Sequence, residues 1–180
     1  MKFTLNWLRD HLDTSCSLDE ICEGLVSLGH EVEEIIDPAK NLSDFRIVEI
    51  RDVNPHPEAD RLKVCSVDDN GTLLQIVCGA PNARVGLKTV LAPVGSYVPG
   101  IDIVIKKSNI RGQESNGMLC AFSELALDGN SDGIIELAEH AEIGTSYIEH
   151  ADLNDPIIEI AITPNRGDCL GVRGIARDLS

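Results

Sequence analysis

The chain has 180 residues, 43% hydrophobic, 25% charged and only 3% aromatic, and its 15 Lys/Arg against 30 Asp/Glu leave a formal net charge of −15. That length and apolar content allow a packed core in one domain or two small ones, whereas the acidity excludes a nonspecific nucleic-acid binder acting through overall charge, since phosphate binding needs local positive charge. No apolar run approaches the roughly 18–20 residues of a membrane span, and Met1–Asp10 lacks the apolar region and small-residue cleavage site of a signal peptide.

Leu5, Leu8 and Leu12 recur at helical spacing, with Trp7 beside them. Ser17-Leu18-Asp19-Glu20 fits a capping box, in which Ser17 caps a helix and Glu20 reaches back to it. Leu18, Ile21, Cys22, Leu25 and Leu28 form one apolar face of that helix, and Gly29 is placed to end it. Glu31–Ile36 is short and mixed and reads as a strand. Asp37–Asn41 reads as a linker.

From residue 45 the pattern changes. Arg46–Val53 alternates and turns at Asn54-Pro55-His56-Pro57. Leu62–Val67 and Leu73–Val77, joined at Asp69-Asn70-Gly71, read as a β-hairpin. Apolar runs recur at Leu87–Ala92 and Ile101–Ile105, followed by the basic segment Lys106–Gly112. Five short strand-like runs separated by Gly, Pro and Asn turns predict a small closed barrel of the OB type, with another small barrel or a sandwich also compatible. Phe122–Asp132 reads as irregular, with a turn at Gly129–Gly133, and Ile134–Leu137 as a short strand or the edge of an acidic loop. Ile157–Ile162 reads as a strand that should pair with Val32–Ile36, so that both flanks form one discontinuous α+β domain. Asp168 is placed to cap a last helix through Leu179, with Cys169, Val172, Ala176 and Leu179 on one face and Arg173 and Arg177 one turn apart. The expected divisions are residues 1–40 and 151–180 for the α+β domain and 41–150 for the barrel. With no capping residue at Ser180, the last helix reads as a cut within a longer protein.

Charge separates the barrel from its flanks: residues 45–125 hold nine Lys/Arg and nine Asp/Glu, while residues 128–155 carry eight acids and no Lys or Arg. The basic residues of the barrel bunch at Arg61/Lys63, Arg84/Lys88 and Lys106/Lys107/Arg111, which permits a local basic face. Its few aromatics, Phe45, Tyr97 and Phe122, disfavour sequence-general single-strand binding by base stacking and favour phosphate and shape recognition of a folded RNA. Catalysis has little support. The five His lie in separate segments, with no Ser or Cys in a nucleophile arrangement, and phosphate-loop motifs are absent. His56, between two prolines, reads as a turn residue, and Asp68/Asp69 and Glu33/Glu34 as solvated charges on opposite strand faces. Six scattered Cys with no C-x-x-C pair read as reduced thiols of a cytoplasmic protein, with no metal site expected.

Asn54–Leu62, Cys78-Gly79-Ala80-Pro81-Asn82 and Ser115-Asn116-Gly117-Met118-Leu119-Cys120 resemble the OB-type tRNA-binding module of several aminoacyl-tRNA synthetases and free-standing tRNA-binding proteins. Met1–Asp10, Gly29–Glu33 and Thr163–Gly171 narrow the resemblance to the N-terminal part of bacterial phenylalanyl-tRNA synthetase β subunits, and it covers essentially the whole chain. The resemblance implies a fragment that contributes a tRNA-binding module to a ligase of two α and two β subunits. It also implies that ATP-dependent activation and the Mg²⁺ positions lie elsewhere, so no catalytic, cofactor or metal residue is assigned here. The candidate tRNA contacts are Arg61, Lys63, Asn82, Lys88, Lys106, Arg111, Ser115 and Met118, the last two through the S-x-x-M segment of related modules. A free-standing tRNA-binding protein, or a structural module with no RNA contact, are the alternatives.

Overall fold

A computed structural model describes all 180 residues. The chain opens with β1 (Lys2–Thr4), which runs directly into α1 (Leu5–Arg9), capped by the Thr4 side chain on the Trp7 amide. The expected capping box starts α2 (Leu18–Ser27): Ser17 accepts from the Glu20 amide, and the Glu20 carboxylate accepts from Ser17. Gly29, at φ +87°, follows the end of the helix. β2 (Glu31–Ile36) comes next, and then a short helix α3 (Pro38–Leu42) where a linker was expected. Pro38 suits a first helical turn, and Leu42 buries completely.

The barrel is built from β3 (Arg46–Pro55), β4 (Lys63–Asp69), β5 (Thr72–Cys78), β6 (Lys88–Pro93), a ribbon of β7 (Tyr97–Val98) and β8 (Ile103–Val104), a hairpin of β9 (Ser108–Ile110) and β10 (Gln113–Ser115), and β11 (Gly117–Leu119). Asn70 and Gly71 take φ of 51° and 90°, the left-handed pair that a two-residue hairpin turn demands, so β4 and β5 pair as expected. The five-stranded antiparallel sheet runs β11-β6-β3-β4-β5. It curls until the Asn116 amide bonds the Gln75 carbonyl at 2.9 Å, bringing the first strand back to the last. This is a barrel of the OB type.

The fifth barrel strand is Gly117–Leu119, not the apolar run Ile101–Ile105. β8 pairs only with β7, while β11 takes the free edge of β6. Val48, Ile50, Cys65, Val67, Ile76 and Leu91 fill the interior. Ile47, on the other face of β3, is also buried, because the Gly144 and Thr145 backbone bonds across it. Ile134–Leu137 forms no strand; only Leu137 bridges to Lys88. α4 (Tyr147–His150) closes this part of the chain.

β12 (Ile157–Ala161) lies between β1 and β2 in a second, three-stranded antiparallel sheet, pairing Ile157 with Ile36 and Ile160 with Val32 around a bulge. The expected union of the two flanks is therefore seen as a strand ladder. α5 (Val172–Leu179) begins later than expected. Residues Gly167–Cys169 form a separate 3₁₀ turn, Gly171 stands at the start of the helix, and the Asp168 carboxylate caps nothing. It pairs instead with Arg166 and Arg177. Phe3, Leu8, Ile21, Leu25, Ile158, Ile160 and Ile175 make the core, so both flanking segments contribute to it. By compactness the chain divides into Met1–Ala39 with Leu153–Ser180, and Lys40–Asp152.

Candidate nucleic-acid interface

The short β11 leaves an open groove in the barrel unit. One wall is the end of β5 and the following loop, Val77–Pro81; the others are β11, Ile103–Lys106 and the loop Ser131–Ile134. The groove holds about 1050 Å³, within the size range of ligand sites. Its surface is mainly apolar, with Ile103 and Val104 44% and 50% exposed. No Phe, Tyr or Trp lines it. Phe45 is buried, and Tyr97 is tied by its hydroxyl to Asp102 at 2.9 Å. The groove therefore lacks a stacking platform, in keeping with the low aromatic content of the chain.

Three of the candidate residues meet at the groove: Lys106, Ser115 and Met118. Lys106 and Lys107 lie in the connection between β8 and β9. Lys107 pairs with Glu114 at 3.0 Å, while Lys106 is exposed. Ser115 is buried; its hydroxyl accepts from the Val77 amide at 3.1 Å and donates to the Gly117 carbonyl at 3.0 Å, closing the seam between β5 and β11. Met118 is half-buried and lines the groove, and it is not among the buried residues of the barrel core.

The other candidates lie elsewhere. Arg61 is exposed in the loop between β3 and β4. Arg111 sits at the tip of the β9–β10 hairpin and donates to the Glu58 carbonyl of that loop at 2.9 Å. The Lys63 ammonium donates to the carbonyls of Pro81 and Ala83, both at 2.9 Å. The Lys88 ammonium does the same for Glu139 and Ala141, at 2.5 and 2.6 Å. Asn82 both donates to and accepts from the Ile134 backbone, at 2.8 and 3.0 Å, and donates to Glu136 at 3.0 Å. These three side chains hold long loops onto the barrel. Hydrogen bonds from Arg84, then Asn82, draw the Glu136 carboxyl down to about 2. Arg84, one of the bunched cations, is thereby committed to a neighbour within the chain.

The exposed apolar wall of Ile103 and Val104 departs from the barrel strand expected over Ile101–Ile105. The available signal was Pro99-Gly100 just before it, a turn pair. Cys78 also reaches the groove, but burial pushes its thiol up, which disfavours the nucleophilic thiolate.

In the other unit His30, Cys169 and Asp178 converge, their donor atoms within 4.8 Å of one another, a set that could hold a metal ion. The Arg166 guanidinium donates to Asp178 and, at 2.7 Å, to the Cys169 sulfur, so the carboxylate charge is answered within the chain. Arg166, followed by His30 and Cys169, holds Asp178 well below the usual carboxylate range. Bonds from Arg166 and Arg177 hold Asp168 at about 2. Both folded values lie below the unfolded value of about 3.9. The stabilisation is therefore complete above about pH 5, declines as pH falls below about 4, and is lost for Asp168 near pH 2 and for Asp178 only below that. Denaturant midpoints of wild type and Arg166→Met should differ most near pH 6, and the difference should shrink steadily as pH falls from about 4 toward 2. A pH-independent difference would show that the guanidinium acts by packing alone.

The family model described as a putative tRNA binding domain matches residues 45–146. The phenylalanine–tRNA ligase beta subunit of Gluconobacter oxydans (strain 621H) is 56% identical over 182 residues, which cover 100% of this chain and 22% of that protein. The subunits of the same name from Cereibacter sphaeroides and Ruegeria pomeroyi are 54% and 55% identical, again over 100% of this chain and 23% of each relative. The chain thus spans less than a quarter of the length of the curated relatives it matches. With more than half of its residues matched by the family model, the chain belongs to the family of putative tRNA binding domains.

Proposed function

We propose that the chain is the N-terminal part of a phenylalanine–tRNA ligase β subunit, and that its barrel contributes a tRNA contact to aminoacylation. The observation that carries this reading is the match of the whole chain, flanks included, to beta subunits of that ligase at 54–56% identity. A free-standing tRNA-binding protein would not need both flanks to match. In this reading the rest of the β chain and an α subunit complete a two-α two-β enzyme. Phenylalanine activation, with its ATP and Mg²⁺, belongs to parts of the enzyme outside these residues, and the setting is the cytoplasm. No helix is long and apolar enough to cross a membrane.

Lys106, Arg111 and Arg61 are the proposed phosphate contacts, because their charges are exposed and not consumed by carboxylate pairs. Ser115 and Asn82 shape the site from behind, and Met118 offers it an apolar surface. Each phosphate contributes roughly −0.7 to the slope of log affinity against log salt on a single strand, or −0.9 on duplex, so two or three contacts give about −2 to −3. Mobility shift of tRNAPhe across a salt series should return that slope, and replacing Lys106 and Arg111 together should flatten it by about two contacts. The isolated chain should also show no phenylalanine-dependent ATP–pyrophosphate exchange. Exchange above background, or affinity indifferent to the double replacement, would sink this assignment.

A further inference from the structure

His56 reads from sequence as a turn residue, and the proposed RNA contact does not use it. In the structure it is 5% exposed and carries two bonds. Its Nδ1 accepts the Glu58 amide at 3.1 Å, which puts the ring proton on Nε2, and Nε2 lies 2.9 Å from the Ile110 carbonyl. The first bond shapes the β3–β4 loop locally. The second crosses to the last residue of β9. One residue further on, Arg111 returns a bond from its guanidinium to the Glu58 carbonyl at 2.9 Å. Loop and hairpin thus hold each other by donors sent in both directions.

The base of the hairpin is anchored on β5, where the Gln75 side chain donates to the Glu114 carbonyl at 2.9 Å and the Val77 amide to Ser115; its tip needs a further hold. Arg111 and Gly112 form its turn with φ of 48° and 84°, and a residue bearing a Cβ adopts the left-handed region at a conformational cost. The hairpin strands are three residues each and pair with one another, and a short two-stranded ribbon is marginal by itself. Arg111 stands at its tip and Lys106 just ahead of its first strand, and both are cations of the proposed contact.

We propose that His56 is a positioning residue for RNA recognition: it tethers the basic hairpin to the β3–β4 loop, so that Arg111 is presented beside the loop that bears Arg61. The ligand in this statement, the RNA phosphate backbone, rests on the function proposed above; the tether does not.

Two variants of the full 180-residue chain test it. His56→Asn keeps a polar atom near the Glu58 amide but falls short of Ile110, while His56→Gln restores a donor at the longer reach. In the Asn variant, amide exchange over residues 108–115 should quicken about tenfold, a local opening rather than a global one. Its affinity for tRNAPhe should fall about fivefold, the scale of one hydrogen bond, and the salt slope should flatten. The Gln variant should recover most of both. If the Asn variant does not fold, the Gln variant decides through its exchange rates and salt slope, which should stay near wild type. Wild-type exchange rates in the Asn variant overturn the tether, and quickened exchange with unchanged affinity overturns its role in recognition. Wild-type chain that fails to shift tRNAPhe overturns the RNA reading instead, and the exchange data then decide the tether alone.

Discussion

Gly100→Ala should destabilise the barrel unit by about 2–3 kcal/mol, the upper range for forcing atoms into a packed site, and should dismantle one wall of the groove. A Cβ at this position would stand 1.8 Å from the Ser123 carbonyl oxygen and 2.8 Å from two backbone atoms of Glu124. None of these is the free end of a side chain, so the strain cannot be relieved by a rotamer change. The Gly100 amide also bonds the Glu124 carbonyl at 2.8 Å, and this contact docks the β7–β8 ribbon on the 3₁₀ turn Ser123–Leu125. Pushing the ribbon away moves Ile103 and Val104, two residues of the groove wall. Denaturant unfolding and tRNAPhe affinity should therefore fall together in this variant. Wild-type stability would mean that the ribbon is not seated as described, and lost stability with unchanged affinity would remove the apolar wall from the site.

The parts of the fold that were legible in the sequence were those set by local chemistry. The Ser17–Glu20 box, the Gly29 stop and the Asn70-Gly71 turn each need only neighbours in the chain, and each is present. The barrel was legible as a class because strand runs and turns alternate at short intervals. The identity of its last strand was not, because periodicity counts apolar residues and cannot tell which run finds the open edge of β6. Gly117–Leu119 is short and carries a glycine, yet Ser115 and Asn116 pin its start to β5 by side-chain and backbone bonds that no local pattern encodes. Asp168 failed as a predicted cap for a similar reason: Arg166 and Arg177 compete for its carboxylate. Met118 lies opposite Ala92 on β6, half-buried and lining the groove, a placement that depends on how β11 joins the sheet.

The cations show the same limit. Bunching in sequence points to the barrel, but a lysine free to meet phosphate and one that binds main-chain carbonyls look identical in sequence. Lys63 and Lys88 are of the second kind here, each ammonium set between two carbonyl oxygens of a loop. Of the bunched groups, Lys106, Arg111 and Arg61 are exposed and paired with no carboxylate, although Arg111 gives one bond to the Glu58 carbonyl, which is why a small salt slope is expected from a barrel with nine basic residues between positions 45 and 125.

Asn82→Ala separates these roles most sharply. Its side chain makes three bonds, two to the Ile134 backbone and one to Glu136, and Gly133 packs so closely on it that an added Cβ would lie 2.2 Å from its Oδ1. Removing the amide leaves the Ile134 amide and carbonyl without partners beside a half-buried site, at about 1 kcal/mol for each lost bond and more where the group stays dry. A total of about 2–3 kcal/mol is expected, together with quicker proteolysis or amide exchange across residues 131–136. The Ile134 side chain is itself buried against the barrel interior, so the loss should spread into the core and not stop at the loop. An RNA-contacting amide would behave otherwise, leaving stability intact and lowering affinity. The carrying measurement is the ratio of the two effects. If Asn82 holds the loop, tRNAPhe binding measured well below the unfolding transition should keep its wild-type salt slope, since no phosphate contact has been removed. Unchanged stability with weakened binding would return Asn82 to the RNA surface and make Ile134 a free-standing wall of the groove.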